Sequence, residues 1–247
     1  RTPLGREMRR FFTAKDGYLL VDADYSQIEL RVLAHISGDE IMKKAFLDGV
    51  DIHTVTASQV FNQPIEWVTP DLRSKAKAVN FGIVYGIGAF SLSKDIGVSV
   101  PKASEYIRSY LSKYSGIAHY MEQTVAKAKR DGYVETMFGR RRYIKELAAK
   151  NKNLQAFGER VAKNTPIQGT AADIIKIAMI KVYNRLEESG LDARLILQVH
   201  DELILEAKED CAEKVALLLK EEMENAVKLT VPMTVDVNIG KTWYDTH

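Results

Sequence analysis

The stretch LILQVHDELILE, from Leu195 to Glu206, consists of two apolar runs separated by a short polar segment. Each run has about the length of a buried strand, so the stretch predicts a β-hairpin. Two-residue hairpin turns favour Asn-Gly or Asp-Gly, because their backbone needs positive φ angles. Here His200, Asp201 and Glu202 occupy the turn, and no glycine is present. A local rule broken in this way indicates that the turn side chains have a functional role.

The hydrophobic pattern on either side of this hairpin predicts an α+β fold. An antiparallel sheet is built from both ends of the chain, helices flank it, and an all-helical insertion lies between. Ser26 is predicted to cap a helix, with Glu29 completing a capping box. Strands are predicted over 17–25, 193–199, 202–207 and 231–239, and helices over 26–36, 40–49, 51–62, 69–86, 101–113, 116–131, 154–164, 169–189 and 209–227.

Composition excludes several classes of protein but does not identify one. The balance of 35 Lys and Arg against 33 Asp and Glu gives a net charge of +2, which by itself does not indicate a nucleic-acid partner. Cys211 is the single cysteine, so the chain has neither an internal disulfide nor a cysteine-based zinc site. No apolar run approaches the roughly 18 residues of a membrane span. Because the sequence begins at Arg1 without a methionine, we expect it to be cut from a longer chain.

Two carboxylates at strand ends are candidate metal ligands. Asp24 ends the first predicted strand, and Asp201 lies at the tip of the hairpin. Either residue alone is more typical of a turn or a cap. Together they can reach one edge of the same sheet, and carboxylate oxygens are the ligands that Mg²⁺ prefers. Two Mg²⁺ ions about 3.5–4 Å apart are a common arrangement for displacement at phosphorus.

The helix predicted over 69–86 carries two cations and two aromatic rings at intervals of four residues: Arg73, Lys77, Phe81 and Tyr85. Such spacing places them along one side of the helix. One interpretation is an ordinary amphipathic helix with wet cations and buried rings. The other is a nucleotide-binding surface, with the cations at a triphosphate and the rings at the sugar and base. Gly82 and Gly86 would then allow a base to approach the backbone or the helix to bend.

A third set of polar residues follows the same spacing: Arg160, Asn164 and Gln168. Pro166 is expected to interrupt the helix between the last two. Side chains of this kind bind base edges or satisfy their own backbone equally well, and their spacing does not decide between the two.

The three blocks together resemble the conserved motifs of family A DNA polymerases, the bacterial DNA polymerase I group. VDADYSQIELRVLAHISGD resembles motif A, RSKAKAVNFGIVYG resembles motif B, and QVHDELILE resembles motif C. The order and separations also agree, and the similarity extends along essentially the whole chain. The resemblance implies a palm formed by residues 1–37 and 153–247, and fingers formed by residues 38–152. It also implies that the thumb, the first palm segment and any exonuclease domain are absent from this sequence.

The resemblance assigns roles to individual residues. Asp24 and Asp201 match the metal-binding aspartates, with the backbone carbonyl of Tyr25 as a further ligand and Glu202 as an accessory acid. The cofactor is then two Mg²⁺ ions, for which Mn²⁺ is a possible substitute. Primer-template DNA would be bound by residues that line the minor groove and the primer end, which are Arg160, Asn164, Gln168 and His200.

The remaining matches concern the incoming nucleotide. Glu29 matches the steric gate at the sugar 2′ position, and Lys77 the proton donor to pyrophosphate. Phe81 and Tyr85 match the rings beside the sugar and the templating base. Residues placed near the nucleotide by the resemblance are Arg1, Gln27, Glu29, His53, Arg73, Lys77, Phe81 and Tyr85.

The function implied is transfer of a dNMP from a dNTP to a primer 3′-OH under the direction of a template. The expected partners are primer-template DNA and dNTPs, and we expect a bacterial cytoplasmic, nucleoid-associated monomer without membrane contact. A single-subunit RNA polymerase is the rival enzyme, and the carboxylate of Glu29 argues against it. An inactive nucleic-acid-binding module is the other alternative, against which the retained Asp24, Asp201, Arg73 and Lys77 argue.

Overall fold

The computed structural model describes residues 3–247, which form six strands and ten α-helices in that range. The predicted α+β class with an antiparallel sheet is confirmed. Strands are β1 (Tyr18–Tyr25), β2 (Tyr133–Glu135), β3 (Arg141–Tyr143), β4 (Ala193–Val199), β5 (Glu202–Lys208) and β6 (Val235–Gly240). Helices are α1 (Pro3–Glu7), α2 (Ile28–Ser37), α3 (Glu40–Leu47), α4 (Ile52–Phe61), α5 (Pro70–Val84), α6 (Ala89–Ile96), α7 (Val100–Lys113), α8 (Ser115–Asp131), α9 (Lys152–Ser189) and α10 (Ala212–Glu224). Short 3-10 helices cover Met8–Phe11, Ile65–Trp67 and Lys145–Ala148.

The described residues divide into two compact units. The sheet unit comprises the N-terminal residues to Ile28, Ala171–Leu229 and Met233–His247. The helical unit comprises Glu29–Thr170 and Thr230–Pro232. Because these units are defined by packing alone, the palm and fingers boundaries inferred from the sequence stay a prediction. Throughout the described range, no helix has both the length and the apolar character needed to cross a membrane.

In the sheet unit the strand order is β4-β5-β1-β6, and every neighbouring pair is antiparallel. Side chains alternate between the two faces of a strand, so odd-numbered and even-numbered residues of β1 separate. The odd face is apolar: Val21 pairs with Leu205 and Ile239, and Ala23 pairs with Leu203 and Val237. Helix α10 packs against β1, β5 and β6. The even face carries the carboxylates described below.

The predicted hairpin is confirmed. In its turn, histidine occupies a backbone position of positive φ that glycine commonly fills. Strand β4 ends at Val199 and β5 begins at Glu202, which leaves a two-residue loop. His200 adopts a positive φ of 52°. Histidine is among the non-glycine residues enriched in this region, although the conformation still costs free energy. Strand β5 is buried over 202–207, whereas β4 is an edge strand with a bulge near Leu195 and with Ile196 and Leu197 exposed.

Several predicted element boundaries were wrong. The two helices predicted over 154–164 and 169–189 are one helix, α9, which continues through Pro166. Burial of Ala162 and Ile167 on either side of the proline favours this continuity. Helix α2 begins at Ile28, directly after Gln27 with its left-handed φ of 58°, which is two residues later than predicted. The capping box of Ser26 and Glu29 stays a prediction. Strand β6 begins at Val235, not at 231, helix α10 is shorter than predicted, and the β2–β3 hairpin was not foreseen.

The helical unit confirms the predicted start of α5 and explains its glycines. Thr69 caps α5 by accepting a hydrogen bond from Leu72 N at 3.3 Å, and Pro70 occupies the first helical position. A Cβ atom on Gly82 would lie 2.8 Å from Ile87 Cδ1, so this glycine makes room for a neighbouring side chain. Gly86 has a φ of 63° just beyond the end of the helix. Close packing against Ile87 therefore accounts for Gly82, and a left-handed backbone conformation accounts for Gly86. The approach of a base to this backbone stays a prediction.

The strained turn residue provides a stability test. His200→Val should lower the free energy of unfolding by roughly 1–2 kcal/mol, because a β-branched side chain tolerates positive φ poorly. His200→Gly should remain within about 1 kcal/mol of the parent chain, since relief of strain offsets the added freedom of the unfolded state. Chemical denaturation measures both. Ile196→Val, at an exposed strand position, is the control and should change little. Equal losses for the Val and Gly variants would contradict a strained turn.

Candidate active site

The even face of the sheet concentrates carboxylates around the end of β1. Asp24 is directly opposite Glu202 on β5 and Asp236 on β6. Directly opposed residues of paired strands project from the same face. Tyr25 N donates a hydrogen bond to the backbone oxygen of Asp201 at 3.2 Å, which brings the turn to the end of β1. The sheet therefore assembles the predicted metal ligands Asp24, Tyr25 and Asp201, with Glu202 beside them.

Crowding of these carboxylates changes their protonation. Asp24 is partly exposed, yet its partial desolvation, followed by repulsion from Asp201 and Glu202, raises its pKa to about 7. Burial also raises the pKa of Glu202, despite the opposing charge of Arg9. Two or more carboxylates that share a site resist full ionisation unless a cation neutralises them. The face is thus suited to bind a divalent cation, which would allow all of its acids to ionise.

Glu202 also belongs to a second group of side chains, and the other two members, Asp22 and His247, were not predicted from the sequence. One ligand atom each of Asp22, Glu202 and His247 lies within 4.8 Å of the others. His247 Nδ1 is 3.2 Å from Asp22 Oδ2, and His247 Nε2 is 3.1 Å from Glu202 Oε2. Burial and the charge of Glu202 raise the pKa of Asp22 to about 6.

These acids retain capacity for another ligand. Within residues 3–247, Asp22 Oδ1 and Glu202 Oε1 are buried and accept no hydrogen bond. Orphaned buried carboxylate oxygens of this kind fit a bound cation. The period-two spacing of Asp22 and Asp24 in the strand was a signal for Asp22, whereas no sequence pattern pointed to His247.

In the helical unit, the predicted cations extend from the exposed side of α5. Arg73 makes two hydrogen bonds to Asp51, from Nε to Oδ2 at 2.8 Å and from Nη2 to Oδ1 at 2.9 Å. Asp51 also caps α4, because its side chain accepts from Thr54 N. Burial opposes ionisation of Asp51, but the hydrogen bonds from Arg73 and Thr54 outweigh it and lower its pKa to about 2. Arg73 is therefore fixed to the start of α4.

Two lysines of α5 differ in their surroundings. Lys75 pairs with Asp71, with 2.7 Å between Nζ and Oδ2. Lys77 is exposed, and in the described part of the chain no carboxylate pairs with it. A charge without an internal partner is available to an anionic ligand. The two lysines therefore differ in that Lys75 is paired with a carboxylate, whereas Lys77 is not paired within the described residues.

His53 lies on α4 beside the same surface. Its side chain is buried, and its ring centroid is 5.8 Å from that of Phe81. Burial lowers the pKa of His53 to about 4, and the charges of Lys77 and Arg73 act in the same direction against that of Asp51. His53 is consequently neutral at pH 7. His53 on α4 therefore lies beside the side of α5 that carries Arg73, Lys77 and Phe81.

The end of α5 meets α9 within this unit. The Phe81 and Tyr85 rings stack with 6.1 Å between centroids, and Tyr85 is 39% exposed, which argues against the interpretation that both rings are buried. Asn164 Nδ2 donates to the backbone oxygen of Tyr85 at 2.9 Å. The Arg160 side chain lies beside Gly86, because a Cβ added there would be 3.4 Å from Arg160 Cγ.

The other predicted residues are more dispersed. Gln27 is partly buried before α2, and Glu29 is partly buried in the first turn of that helix. Gln168 is exposed on α9, and His200 is at the hairpin turn. Arg1 lies outside the described residues. The roles of all these residues stay predictions.

Comparisons with known proteins identify the family. The family model described as DNA polymerase family A matches residues 1–245. Similar curated proteins include DNA polymerase I of Caldicellulosiruptor bescii, 51% identical over 98% of this chain and 28% of the relative, and the thermostable DNA polymerase I of Thermus aquaticus, 51% identical over 98% of this chain and 29% of the relative. DNA polymerase I of Pseudomonas aeruginosa is 49% identical over 100% of this chain and 27% of the relative. This chain thus spans between a quarter and a third of the length of these curated relatives.

A solved structure agrees with this result. The polymerase domain of Pol1 from M. smegmatis, in complex with DNA primer-template and dNTP, has a TM-score of 0.95 and 42% identity. It covers 100% of this chain, which corresponds to 44% of that chain. The chain described here belongs to DNA polymerase family A.

The raised pKa of Asp24 predicts a pH-dependent stability. The folded state holds this proton more tightly than the unfolded state, whose aspartates titrate near pH 4. The contribution of Asp24 to the free energy of unfolding should therefore fall as the pH rises from about 4 to about 7. In EDTA, Asp24→Asn should raise the melting temperature at pH 8 but not at pH 4. Because the side chain is partly exposed, screening by solvent should keep this rise in melting temperature small.

Thermal unfolding at the two pH values checks this expectation. Asp210→Asn serves as the matched control. It removes a carboxylate that is paired with a cation, with 3.1 Å between Asp210 Oδ2 and Lys208 Nζ. It should not stabilise the chain at pH 8. A melting temperature for Asp24→Asn that does not exceed that of the parent chain at pH 8 would contradict the proposed crowding.

Proposed function

We propose that this chain carries out template-directed DNA synthesis, transferring a dNMP from a dNTP to a primer 3′-OH. The primer oxygen forms a bond to the α-phosphorus, the bond from that phosphorus to the bridging oxygen breaks, and pyrophosphate leaves. The observation that carries the proposal is the acidic face of the sheet unit, where Asp24 and Asp201 meet at the end of β1. Membership of the DNA polymerase family supports the same reaction.

Asp24, Asp201 and the backbone carbonyl of Tyr25 are the proposed metal ligands, with Glu202 as an accessory acid. Orphaned acidic oxygens and the raised pKa of Asp24 support the fit of a divalent cation. When bound, two Mg²⁺ ions would make the 3′-OH more acidic and neutralise charge on the leaving group, and Mn²⁺ could replace them. The protein contributes the carboxylates, held in a fixed register by the sheet.

The helical unit carries the groups proposed to bind the triphosphate. Lys77 is exposed without an internal ion pair in the described range, and Arg73 is held by Asp51. We propose that Lys77 donates a proton to the leaving pyrophosphate, while Arg73 and His53 bind phosphate oxygens. Arg1 is assigned to the phosphates only by its match in the sequence. Charge-assisted hydrogen bonds to phosphate are short and strong, so these groups can orient the nucleotide.

Sugar and base selection are assigned to separate residues. Glu29 is proposed as the wall that excludes a 2′-hydroxyl, with Gln27 beside it in the sequence, and this choice favours dNTPs over NTPs. Phe81 and Tyr85 are proposed to contact the sugar and the templating base. The partial exposure of both rings supports that assignment.

Primer-template DNA is the proposed macromolecular partner. The similar Pol1 domain from M. smegmatis was solved with DNA primer-template and dNTP. The residues proposed to contact DNA are Arg160, Asn164, Gln168 and His200. We further propose a monomer in the bacterial cytoplasm, with residues 1–37 and 153–247 acting as palm and residues 38–152 as fingers.

A primer-extension assay with and without Mg²⁺ tests the function. The parent chain should extend a primer with dNTPs and far less with NTPs, and EDTA should stop the reaction. Asp201→Asn should lower the rate by at least about a hundredfold, because loss of a metal ligand removes several kcal/mol of transition-state stabilisation. Asp210→Asn is the control. Extension by Asp201→Asn at the parent rate would reject the metal assignment, and preference for NTPs would favour an RNA polymerase.

Two lysines on one helix provide a second test. Lys77→Ala should raise KM for the dNTP and lower kcat, with kcat/KM falling at least about tenfold, because a charge-assisted contact to phosphate is lost. Lys75→Ala should leave both constants near those of the parent, because Lys75 is engaged by Asp71. Steady-state kinetics of single-nucleotide incorporation measures both variants. Similar losses in the two variants would mean that the binding surface of α5 is wrongly assigned.

A further inference from the structure

A chain of buried hydrogen bonds leads from the interior of the helical unit to His53. Asn80 Nδ2 lies 3.0 Å from His53 Nδ1, and Asn80 Oδ1 accepts from Thr56 Oγ1 at 3.1 Å. Thr56 Oγ1 is in turn 3.0 Å from Tyr114 Oη. All four side chains are buried, with at most 2% of their surface exposed. Such a network is stable only if each donor meets an acceptor.

The donor-to-acceptor direction of these hydrogen bonds follows from their buried end, the hydroxyl of Tyr114. Within residues 3–247, Tyr114 Oη hydrogen bonds with Thr56 Oγ1 alone. Burial raises the pKa of Tyr114 to about 12, so its hydroxyl keeps its proton and must donate to Thr56. The reverse direction would leave the Tyr114 proton buried without an acceptor, which is costly. Thr56 therefore donates to Asn80 Oδ1, and the amide nitrogen of Asn80 faces the histidine.

This direction determines the tautomer of His53. An amide nitrogen can only donate, so His53 Nδ1 must accept, and the proton of the neutral ring lies on Nε2. Asn80 is the only hydrogen-bond partner of the ring among the described residues, which leaves the Nε2 proton for a ligand. The charged groups that act on the ring are Asp51 at the start of α4, and Arg73 and Lys77 on α5.

We propose that Asn80 is a positioning residue that holds His53 with its proton on Nε2, so that His53 donates one hydrogen bond to a phosphate oxygen of the incoming nucleotide. The inference rests on the proposed function and adds the hydrogen-bond polarity of that contact. A neutral donor between two cations contributes direction without further positive charge. Phosphate oxygens accept hydrogen bonds only, which matches a histidine fixed as a donor.

The tautomer is measured directly by NMR of the full chain with ¹⁵N-labelled histidine. The two ring nitrogens should show protonated Nε2 and unprotonated Nδ1 from pH 8 down to about pH 5, consistent with the low pKa of His53. Asn80→Asp keeps the side-chain shape but replaces the donor with an acceptor, so the proton should move to Nδ1. Protonated Nδ1 in the parent chain, or unprotonated Nδ1 in Asn80→Asp at pH 8, would overturn the proposal.

Two neighbouring tyrosines provide a matched pair that avoids substitution next to the histidine. Tyr114→Phe removes the hydroxyl that sets the direction of the hydrogen bonds, so His53 should become a mixture of tautomers. Tyr110→Phe deletes an equally buried hydroxyl that has no hydrogen-bond partner in the described range, and it should leave the spectrum unchanged. The ring centroids of these tyrosines are 4.5 Å apart, so general effects on packing should be similar. Identical spectra for both variants would overturn the assigned direction.

Kinetics then connects the tautomer with nucleotide binding. At pH 8, KM for a dNTP should rise about tenfold in Asn80→Asp, the size expected for loss of one hydrogen bond to a charged group. As the pH falls, protonation of His53 beside the new carboxylate restores a proton on Nε2, so the KM of the variant should approach that of the parent. A merely structural defect would not recover in this way. A KM ratio that stays constant with pH would reject the role in binding.

Primer extension and NMR distinguish failure of the proposed function from failure of the role assigned to Asn80. If the parent chain does not extend primers, the proposed function fails, while the NMR spectra still decide the tautomer. If primers are extended but His53 carries its proton on Nδ1, the function stands and the positioning role of Asn80 is rejected.

Discussion

The antiparallel register of β1 against β5 and β6 is the constraint on which the sheet unit depends. It sets Asp24 opposite Glu202 and Asp236, while the alternating residues of the same strand form the apolar face. A shift of one residue would exchange the two faces, exposing Val21 and Ala23 and burying acids in the apolar layer. Burial of the apolar face therefore imposes the crowding of carboxylates on the other side. Their raised pKa values are a consequence of this arrangement.

The helical unit holds its side chains in place by a different set of contacts. Arg73 is fixed by Asp51, which also caps α4, and His53 two residues later is fixed by Asn80 on α5. Helices α4 and α5 are thus joined by an exposed ion pair and by two buried hydrogen bonds, one between Asn80 and His53 and one between Asn80 and Thr56. Lys77 extends from the same helix without such a constraint in the described part of the chain. A paired cation, Arg73, and an unpaired one, Lys77, therefore lie about one helical turn apart in this part of the described chain.

Features that depend on local periodicity could be predicted from the sequence, whereas those that depend on tertiary packing could not. Apolar runs of strand length predicted β1 and β5, their ends placed Asp24 and Asp201 at one edge of the sheet, and Thr69 marked the start of α5. His247 contacts Asp22 and Glu202 only because the chain end returns to the sheet, so no local pattern indicated it. Asn80 lies on the buried side of α5 and is not one of the four residues that the spacing of four singled out on this helix. Continuity of α9 through Pro166 likewise reflects burial.

The order of strands in the sheet has a kinetic consequence. Strands β4 and β5 are joined by a tight turn, and their pairing can begin as soon as that hairpin closes. Strand β1 must find β5 and β6 across most of the length of the chain, which requires a large loss of chain entropy before any contact compensates for it. The step that completes the acidic face should therefore come late in folding. Until then β5, which is apolar and buried in the final structure, remains an unpaired edge that can associate with other chains.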